Sequence, residues 1–213
     1  MILLIGYEKG GVGKSTLAKN LAVYLQKMGR DVMTVDTDPQ QSLYKWSTVR
    51  AENPDAQDIP CIKLTGSKIL SDLRSLAPKY DDLIIDAGGA DSPALRAAMT
   101  VATHMLIPMQ AAIGDMEPLE HMCELLEQVS AINPNLFYRA VLTMCPALPS
   151  QAGFISDAKD AVRSYDIEVL NAYTTRRLIY DQAHGEGLTA LESNNVKASQ
   201  DIIDIAEELL SHV

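Results

Sequence analysis

One stretch near the start of the chain, IGYEKGGVGKST from Ile5 to Thr16, decides how this protein folds. It follows a short apolar run and precedes a segment with helical periodicity, so it joins a strand to a helix. Its glycines Gly10, Gly11 and Gly13 allow the backbone to curl until successive N–H groups point inward. Such a curl, together with the positive N-terminal end of the following helix, binds phosphate. The stretch therefore predicts a phosphate-binding loop.

Side chains at the end of this loop offer the other contacts that a nucleotide and its metal need. We expect Lys14 to meet the β- and γ-phosphates and Ser15 to offer its hydroxyl to Mg²⁺. Thr16 can hydrogen-bond a neighbouring phosphate. A chance glycine turn is the alternative, and the position between a strand and a helix argues against it. The predicted nucleotide-binding residues are Gly10, Gly11, Val12, Gly13, Lys14, Ser15 and Thr16.

The rest of the chain alternates short apolar runs with segments of helical periodicity, which is typical of a parallel sheet covered by helices. Helical spacing is clearest in Leu17–Met28, where Gly29 stops the helix, and it recurs in Leu119–Ile132 and Ile202–Leu210. With 213 residues and no repeat or linker, we expect residues 1–213 to form a single α/β domain. It would be a three-layer P-loop NTPase fold with a mostly parallel central sheet flanked by helices. The predicted strands are Ile2–Gly6, Asp31–Asp36, Ile59–Lys63, Asp82–Asp86, His104–Met109, Phe137–Met144 and Ile167–Leu170.

Two acidic segments follow predicted strands. Asp86 ends the apolar run Leu83–Asp86, which matches a Walker B motif and predicts that Asp86 holds a magnesium-bound water near the phosphates. The second segment is VDTDPQ, from Val35 to Gln40. A lone aspartate at a strand end is more often a turn or helix cap. Because ligands bind at the carboxyl ends of strands in open α/β sheets, acids beside a phosphate loop favour a metal site instead.

The phosphate loop departs from the usual G-x-x-x-x-G-K-[ST] pattern at Glu8. The segment KGGVGKS, from Lys9 to Ser15, resembles the deviant Walker A motif KGGxGK[ST] of the ParA and MinD family. This resemblance implies that Lys9 reaches across a dimer interface, where a second ammonium would offset charge near the γ-phosphate. It also implies ATP and Mg²⁺ as cofactors and a homodimer that forms on ATP binding. A solvated surface lysine is the alternative for Lys9.

The same family gives roles to the acidic segment. DTDPQ, from Asp36 to Gln40, resembles the D-x-D-P-Q switch of the family. The resemblance implies that Asp36 supports magnesium through water and that Asp38 orients the attacking water. The expected catalytic residues are Lys9, Lys14 and Asp38, and the expected metal ligands are Ser15, Asp36 and Asp86.

Later segments extend the likeness over nearly the whole chain. Leu106–Gln110 followed by Asp115 resembles a family strand that ends in proline, and Arg177–Gly187 resembles its late helix and glycine turn. Asp91 is a candidate contact of the switch, with surface exposure as the alternative. The chain starts at the first strand without a helix-turn-helix extension, so it resembles the small ParA proteins of plasmid partition. That resemblance implies a slow Mg-ATP-dependent dimerising ATPase of a DNA partition system, stimulated by a centromere-binding, ParB-like adaptor protein.

Composition limits how such a protein could bind DNA. Family DNA binding is nonspecific and ATP-dependent, whereas this chain carries a formal net charge of −10, so any DNA contact has to be a local basic patch. A solvated charged face is the alternative for each candidate. The candidate DNA-binding residues are Arg163, Arg176, Arg177 and Lys197.

The sequence also indicates a cellular compartment and allows competing functions to be weighed. Cys61, Cys123 and Cys145 form no CxxC pair, and no signal peptide or membrane span is recognisable, so we expect a cytoplasmic protein that is nucleoid-associated in its ATP form. A MinD-like membrane regulator would need a basic C-terminal helix, whereas Ser199–Val213 is acidic. A MinD-like or protein-cargo-positioning ATPase and, with less support, a metabolic ATP-dependent enzyme remain alternatives. The cysteines do not match the paired ligands of a nitrogenase-type iron protein.

Overall fold

The backbone follows the strand-helix alternation of the sequence from its first residue. A computed structural model describes residues 1–88, 92–111 and 117–212. The candidates Asp91 and Asp115 lie outside these residues. None of the helices in the described part is long and apolar enough to cross a membrane.

The central layer is a seven-stranded sheet whose described pairings are all parallel. The strands are β1 (Ile2–Ile5), β2 (Val32–Asp36), β3 (Cys61–Lys63), β4 (Asp82–Asp86), β5 (His104–Gln110), β6 (Phe137–Cys145) and β7 (Val169–Thr175). Their order across the sheet is β3-β2-β4-β1-β5-β6-β7. The predicted α/β fold with a mostly parallel sheet is therefore confirmed.

All seven predicted strands are present, with two notable differences in their bounds. β3 starts later than predicted, at Cys61, because Pro60 has no N–H for the ladder and contributes only its carbonyl, which accepts from Thr34 N. β7 continues past Leu170 to Thr175. Polar residues form the outer half of this edge strand, and a search for apolar runs does not detect them.

Helices cover both faces of the sheet. The helices are α1 (Lys14–Lys27), α2 (Ser42–Glu52), α3 (Ile69–Leu76), α4 (Pro93–Met99), α5 (Glu117–Ser130), α6 (Ala152–Arg163), α7 (Ile179–Gly185) and α8 (Val196–Leu210). The predicted helix that starts at Leu119 ends at Ser130, before Pro134, and Ile132 beyond it is 68% exposed.

Two apolar cores bind the layers together, one on each face of the sheet. Because successive residues of a strand point to opposite faces, Leu3 and Ile5 of β1 pack with α1, α2 and α8, whereas Leu4 packs with α3, α4, α5 and α6. This arrangement buries β1 on both faces in the middle of the sheet. The loop that leaves its carboxyl end is thus held by the most buried part of the fold.

Candidate nucleotide-binding site

The phosphate loop lies at the carboxyl edge of the sheet, between β1 and α1. Gly11 and Gly13 have φ angles of 71° and 86°, in the left-handed region that glycine adopts without strain. Thr143 Oγ1 on β6 donates to the carbonyl of Val12 at 2.8 Å, and Gln110 Nε2 on β5 donates to the carbonyl of Gly11 at 3.0 Å. Strands on one side of β1 therefore hold the loop in its curled shape.

Lys14 is buried inside this loop. Its Nζ donates to the carbonyl of Lys9 at 2.8 Å, which places the ammonium inside the curl. Burial lowers the pKa of Lys14, while the charges of Asp86 and Asp38 act in the opposite direction. The ammonium thus lies among the groups that were predicted to bind phosphate, metal and water.

Asp86 is the most unusual group of the site. Its side chain is fully buried, and neither carboxylate oxygen has a hydrogen-bond partner among the described residues. Burial, which is the largest effect, raises the pKa of Asp86 to about 8; the Ser15 hydroxyl and Lys14 lower it, and Asp36 and Asp38 raise it. Since buried polar atoms are almost always hydrogen-bonded, these oxygens indicate a missing ligand or its water. A magnesium-bound water fits both atoms.

Asp36 sits beside Asp86 but makes different contacts. Its Oδ1 accepts from Asp38 N at 2.9 Å and its Oδ2 accepts from Tyr44 N at 2.9 Å. Burial is the main cause that raises its pKa, and the backbone hydrogen bonds act against it. A carboxylate has about four acceptor positions, so Asp36 can still reach a metal through water. Through these two hydrogen bonds, Asp36 holds the start of the switch segment in place.

Asp38 projects from that switch toward the phosphate loop. Its Oδ1 accepts from Gln40 N at 2.8 Å, and the preceding residue, Thr37, donates from N to the Asp86 carbonyl at 3.0 Å. A Cβ on Gly88 would lie 3.4 Å from Pro39 Cδ and 3.5 Å from the Asp38 Cα. The switch therefore packs closely on Gly88, two residues after the end of β4.

The phosphate loop, Lys14 and Asp38 line one cavity of about 990 Å³. The phosphate loop forms one wall, the switch and residues 64–67 form a second, and α7 closes a third. Within the described residues, no cluster of three or more His, Cys, Asp or Glu side chains could hold a metal by itself. That suits Mg²⁺, which is commonly held by one or two carboxylates together with substrate phosphates and water. Ser15, Asp36 and Asp86 are the residues that fit it.

Lys9 and Glu8 begin the loop on its outer side. The Lys9 side chain is exposed, and the carbonyl of Lys9 is the group that contacts Lys14. Glu8 Oε1 lies 2.5 Å from Nδ1 of His121 on α5. Glu8, where the loop departs from the usual phosphate-loop pattern, therefore connects the loop to α5, which lies on the face of the sheet opposite α1.

The candidate DNA-binding residues do not form one patch. Arg176 follows β7 and is exposed, and Arg177 Nε lies 3.3 Å from Asp201 Oδ2 on α8, one helical turn from Lys197. Arg163 ends α6 at the other end of β7, and a strand of seven residues spans roughly 20 Å. Arg176, Arg177 and Lys197 are therefore close together, and Arg163 is remote from them.

The cavity residues that lie on α7 and on α1 beyond the phosphate loop were not assigned to the site from the sequence. They are Lys19, Tyr180, Asp181 and His184. One signal was available: Lys19 interrupts the apolar side of α1 with a charge. Its neighbours in the cavity lie about 160 residues away in sequence, so nothing local could have shown what it faces.

The family match spans most of the chain. Residues 3–202 match the family described as CbiA: CobQ/CobB/MinD/ParA nucleotide binding domain. A similar protein is the Maintenance of carboxysome distribution protein A of Gloeobacter kilaueensis, 31% identical over 94% of this chain and 90% of that protein. The protein of the same name from Halothiobacillus neapolitanus is 25% identical over 98% and 95%. The chromosome-partitioning ATPase Soj of Thermus thermophilus is 29% identical over 66% and 67%.

Solved structures agree on the fold. Cyanthece apo McdA superposes with a TM-score of 0.78 at 17% identity, covering 98% of both chains. The MinD cell division protein of Aquifex aeolicus superposes with a TM-score of 0.78 at 19% identity, covering 99% of this chain and 97% of that one. These identities establish a shared fold alone. The matched family, together with the deviant phosphate loop and the buried acids around it, shows that this chain belongs to the CobQ/CobB/MinD/ParA family of nucleotide-binding domains.

Proposed function

We propose that this protein is a Mg-ATP-dependent ATPase that dimerises on ATP binding, binds nonspecific DNA in that form, and partitions DNA with a centromere-binding adaptor. The observation that carries the proposal is the buried Asp86 carboxylate, which has no hydrogen-bond partner among the described residues and lies beside Lys14 and Asp38. Structural acids in a core are normally paired, whereas this one lies directly beneath Lys14, Ser15 and Asp38, which line a cavity large enough for a nucleotide.

The site residues divide the work of hydrolysis. The loop N–H groups and Lys14 bind the phosphates, and Ser15 with Asp86 hold the metal in place. Magnesium, when bound, neutralises charge on the β- and γ-phosphates. Asp38 orients a water for attack on the γ-phosphate. Phosphoryl transfer depends mainly on such positioning and charge, so turnover would be slow until a partner completes the site.

The exposed position of Lys9 is the reason to propose a dimer. Lys9 starts the phosphate loop with its side chain exposed, and Lys14 holds the Lys9 carbonyl from inside. A partner placed against this edge would bring its own Lys9 toward the γ-phosphate, as an arginine finger does in other systems. ATP binding, dimerisation and ordering of the Asp36–Gln40 switch would then be coupled.

DNA binding would follow from that dimer. The candidate patch of one protomer, formed by Arg176, Arg177 and Lys197, is small, and Asp201 partly offsets its charge. Two patches on one dimer bind DNA by avidity, so the monomer would bind DNA weakly and the ATP-bound dimer would bind it more tightly. Hydrolysis would release the dimer from DNA, and the adaptor would set when that happens.

Positioning of a protein assembly is the second candidate. Two relatives that cover nearly the whole chain are both named Maintenance of carboxysome distribution protein A. The proposed chemistry and DNA binding are the same for both candidates, so the adaptor and its cargo distinguish them. A MinD-like membrane role has less support, because α8 packs its apolar residues Ile202, Ile205 and Leu209 into the core.

The first experiment measures binding to random-sequence duplex DNA with ATP, ADP or no nucleotide, across a salt series. The Asp38→Ala variant is used in parallel to suppress hydrolysis. We expect binding only with ATP, and a log–log salt slope of about −0.9 for each phosphate neutralised. If the protein forms an ATP-dependent dimer that does not bind DNA even at low salt, the proposed DNA binding is wrong. Co-purification of the ATP form with a plasmid-bound adaptor or with a protein assembly then decides the cargo.

A further inference from the structure

Lys19 is a buried lysine that the proposed reaction leaves without a role. Its side chain is 2% exposed, lines the cavity, and donates from Nζ to the Tyr180 carbonyl at 3.3 Å. Among the described residues this is the only hydrogen bond of an ammonium that has three N–H donors. Because burying an unsatisfied charge is costly, the remaining donors require acceptors from within the cavity.

The position of Lys19 on α1 shows which part of a nucleotide it would face. Residues three and four apart lie next to each other on one side of a helix, so Lys19 shares a face with Ser15 and Thr16. Those residues are at the phosphate end of α1, and Lys19 is one turn further from the loop. The cavity continues from Ser15 and Thr16 to Lys19 and α7, so a nucleotide anchored there by its phosphates has room for its sugar and base in this direction.

Groups from α7 surround the Lys19 ammonium. Asp181 and His184 line the same cavity, and the charge of Asp181 favours the protonated form of Lys19. Burial acts more strongly and lowers the pKa of Lys19 to about 7. Burial also lowers the pKa of His184, with the charge of Lys19 as a further cause. An acceptor atom from a ligand would offset the cost of burying this ammonium.

We propose that Lys19 is a specificity-determining residue that donates a hydrogen bond to an acceptor on the nucleoside part of the bound nucleotide, either a ribose oxygen or a ring nitrogen of the base. The inference deepens the proposed function and rests on the binding of Mg-ATP at this cavity. It separates two ends of one site: Lys14 and the loop bind the triphosphate, whereas Lys19 and α7 bind the nucleoside.

The test compares Mg-ATP with Mg-tripolyphosphate, which has the phosphates and no nucleoside. Affinities are measured by titration calorimetry for the wild type, Lys19→Met and Lys19→Gln. Methionine matches the length of lysine without a donor, and glutamine keeps a neutral donor. Lys27→Met, an exposed position on the same helix, is the control. We expect Lys19→Met to lower the affinity for Mg-ATP about 10- to 100-fold and Lys19→Gln to lower it less. All variants should bind tripolyphosphate with the affinity of the wild type.

The other results would overturn the inference. Unchanged ATP affinity in Lys19→Met would mean that the ammonium contacts no nucleoside atom, and an equal loss for both ligands would mean that it acts through the phosphate loop. If Lys19→Met does not fold, the same comparison with Lys19→Gln decides. Titration with 3′-deoxy-ATP tests whether the acceptor is the ribose 3′-hydroxyl, which this analogue lacks. If it is, the variants and the wild type bind the analogue equally. Failure of the wild type to bind Mg-ATP would instead reject the proposed function, on which the inference depends.

Discussion

Asp36 and Asp86 are directly opposite each other in the paired strands β2 and β4. Both carboxylates are buried, yet their surroundings differ: two backbone amides donate to the Asp36 carboxylate, whereas neither oxygen of the Asp86 carboxylate has a hydrogen-bond partner among the described residues. Two like charges this close disfavour ionisation of both, and burial adds to the effect. The protein thus keeps a destabilising acid where a metal would be bound.

Replacing Asp86 by asparagine should raise the stability of the ligand-free protein and reduce ATPase activity. A carboxyl group whose pKa is raised from 3.8 to about 8 holds its proton more tightly in the folded state, so wild-type stability falls as pH rises across that interval. Asparagine cannot ionise, so the gain in Tm should grow between about pH 4 and pH 8 and then level off. Mg-ATP hydrolysis should fall about 10- to 100-fold.

Thermal unfolding without nucleotide, followed at several pH values, checks the prediction. Each 1 kcal/mol corresponds to about 2–4 °C in a domain of this size. Asp55→Asn, at an exposed position, is the control and should show no pH-dependent gain. A ligand-free Asp86→Asn protein that is less stable than the wild type at pH 8 would argue for a structural role of this carboxylate.

Lys14 and Asp38 should separate binding from turnover. Lys14→Ala removes the ammonium inside the loop and should lower the affinity for ATP about 10- to 100-fold or more. Asp38→Asn keeps the acceptor for Gln40 N, and with it the shape of the switch, but removes the charge. It should bind ATP nearly as the wild type does and lose roughly 100-fold in kcat. Nucleotide titration combined with phosphate release distinguishes the two; loss of ATP binding in Asp38→Asn would contradict the water-orienting role.

Lys9→Ala should prevent the ATP dimer without affecting the monomer. The alanine variant retains the Lys9 carbonyl that accepts from Lys14 Nζ, so the shape of the loop and ADP binding should survive. Light scattering after size-exclusion chromatography, with ATP or ADP, measures the mass directly. Lys27→Ala, which removes another exposed lysine, should leave the dimer intact. An unchanged ATP dimer in Lys9→Ala would make the cross-interface role untenable.

Gly187→Ala should destabilise the fold where Gly187 packs against the C-terminal end of α2. Gly187 has φ of 70°, and a Cβ there would lie 2.5 Å from N and 2.6 Å from Cα of Arg50 on α2. Left-handed backbone costs an alanine about 1–2 kcal/mol, and overpacking adds about 1–3 kcal/mol. Gly29→Ala, with φ of 81° and no atom within 4 Å of the added Cβ, should bear the first cost alone. Equal denaturation midpoints for the two variants would contradict the close approach.

Arg176 and Arg163 allow a test of which surface binds DNA. Arg176 lies near Arg177 and Lys197, whereas Arg163 lies at the far end of β7 and pairs with Asp160 at 3.1 Å. Arg176→Ala should weaken DNA binding by the ATP form and reduce the magnitude of its salt slope by about 1 for each phosphate that the arginine no longer neutralises. Arg163→Ala should leave both unchanged. The reverse pattern would place the DNA surface at the opposite edge of the sheet.

Much of the site was predictable because its residues are local in sequence. Residues 10–16 lie at one strand-helix junction, and glycine, lysine and hydroxyl side chains at that spacing have few other uses. Asp86 ends an apolar strand, and parallel strands place their carboxyl ends at one edge, so its approach to the loop followed from the fold class. The same reasoning found β2, β4 and β5, whose strands are buried and continuously apolar.

Features that depend on distant contacts were not predictable. The polar half of β7 is stabilised by Glu208 and Asp201 on α8, which accept from its backbone amides. The apolar pattern therefore ended at Leu170. Similarly, the separation of Arg163 from Arg176 depends on which end of a strand each residue occupies, and charge counting carries no such information.

The amino-acid sequence by itself determined the fold class, the phosphate loop and the acids at the strand ends, because short-range backbone chemistry and strand direction are enough to specify them. Tertiary structure alone decided which buried polar groups are satisfied. Asp36 and Asp86 are similar in sequence context, yet within the described ranges only the Asp36 carboxylate accepts hydrogen bonds from backbone amides. Lys19 became a cavity residue only because α7, some 160 positions later, packs against α1. Hydrogen-bond satisfaction and burial depend on groups that are remote along the chain, so they emerge only when the layers pack together.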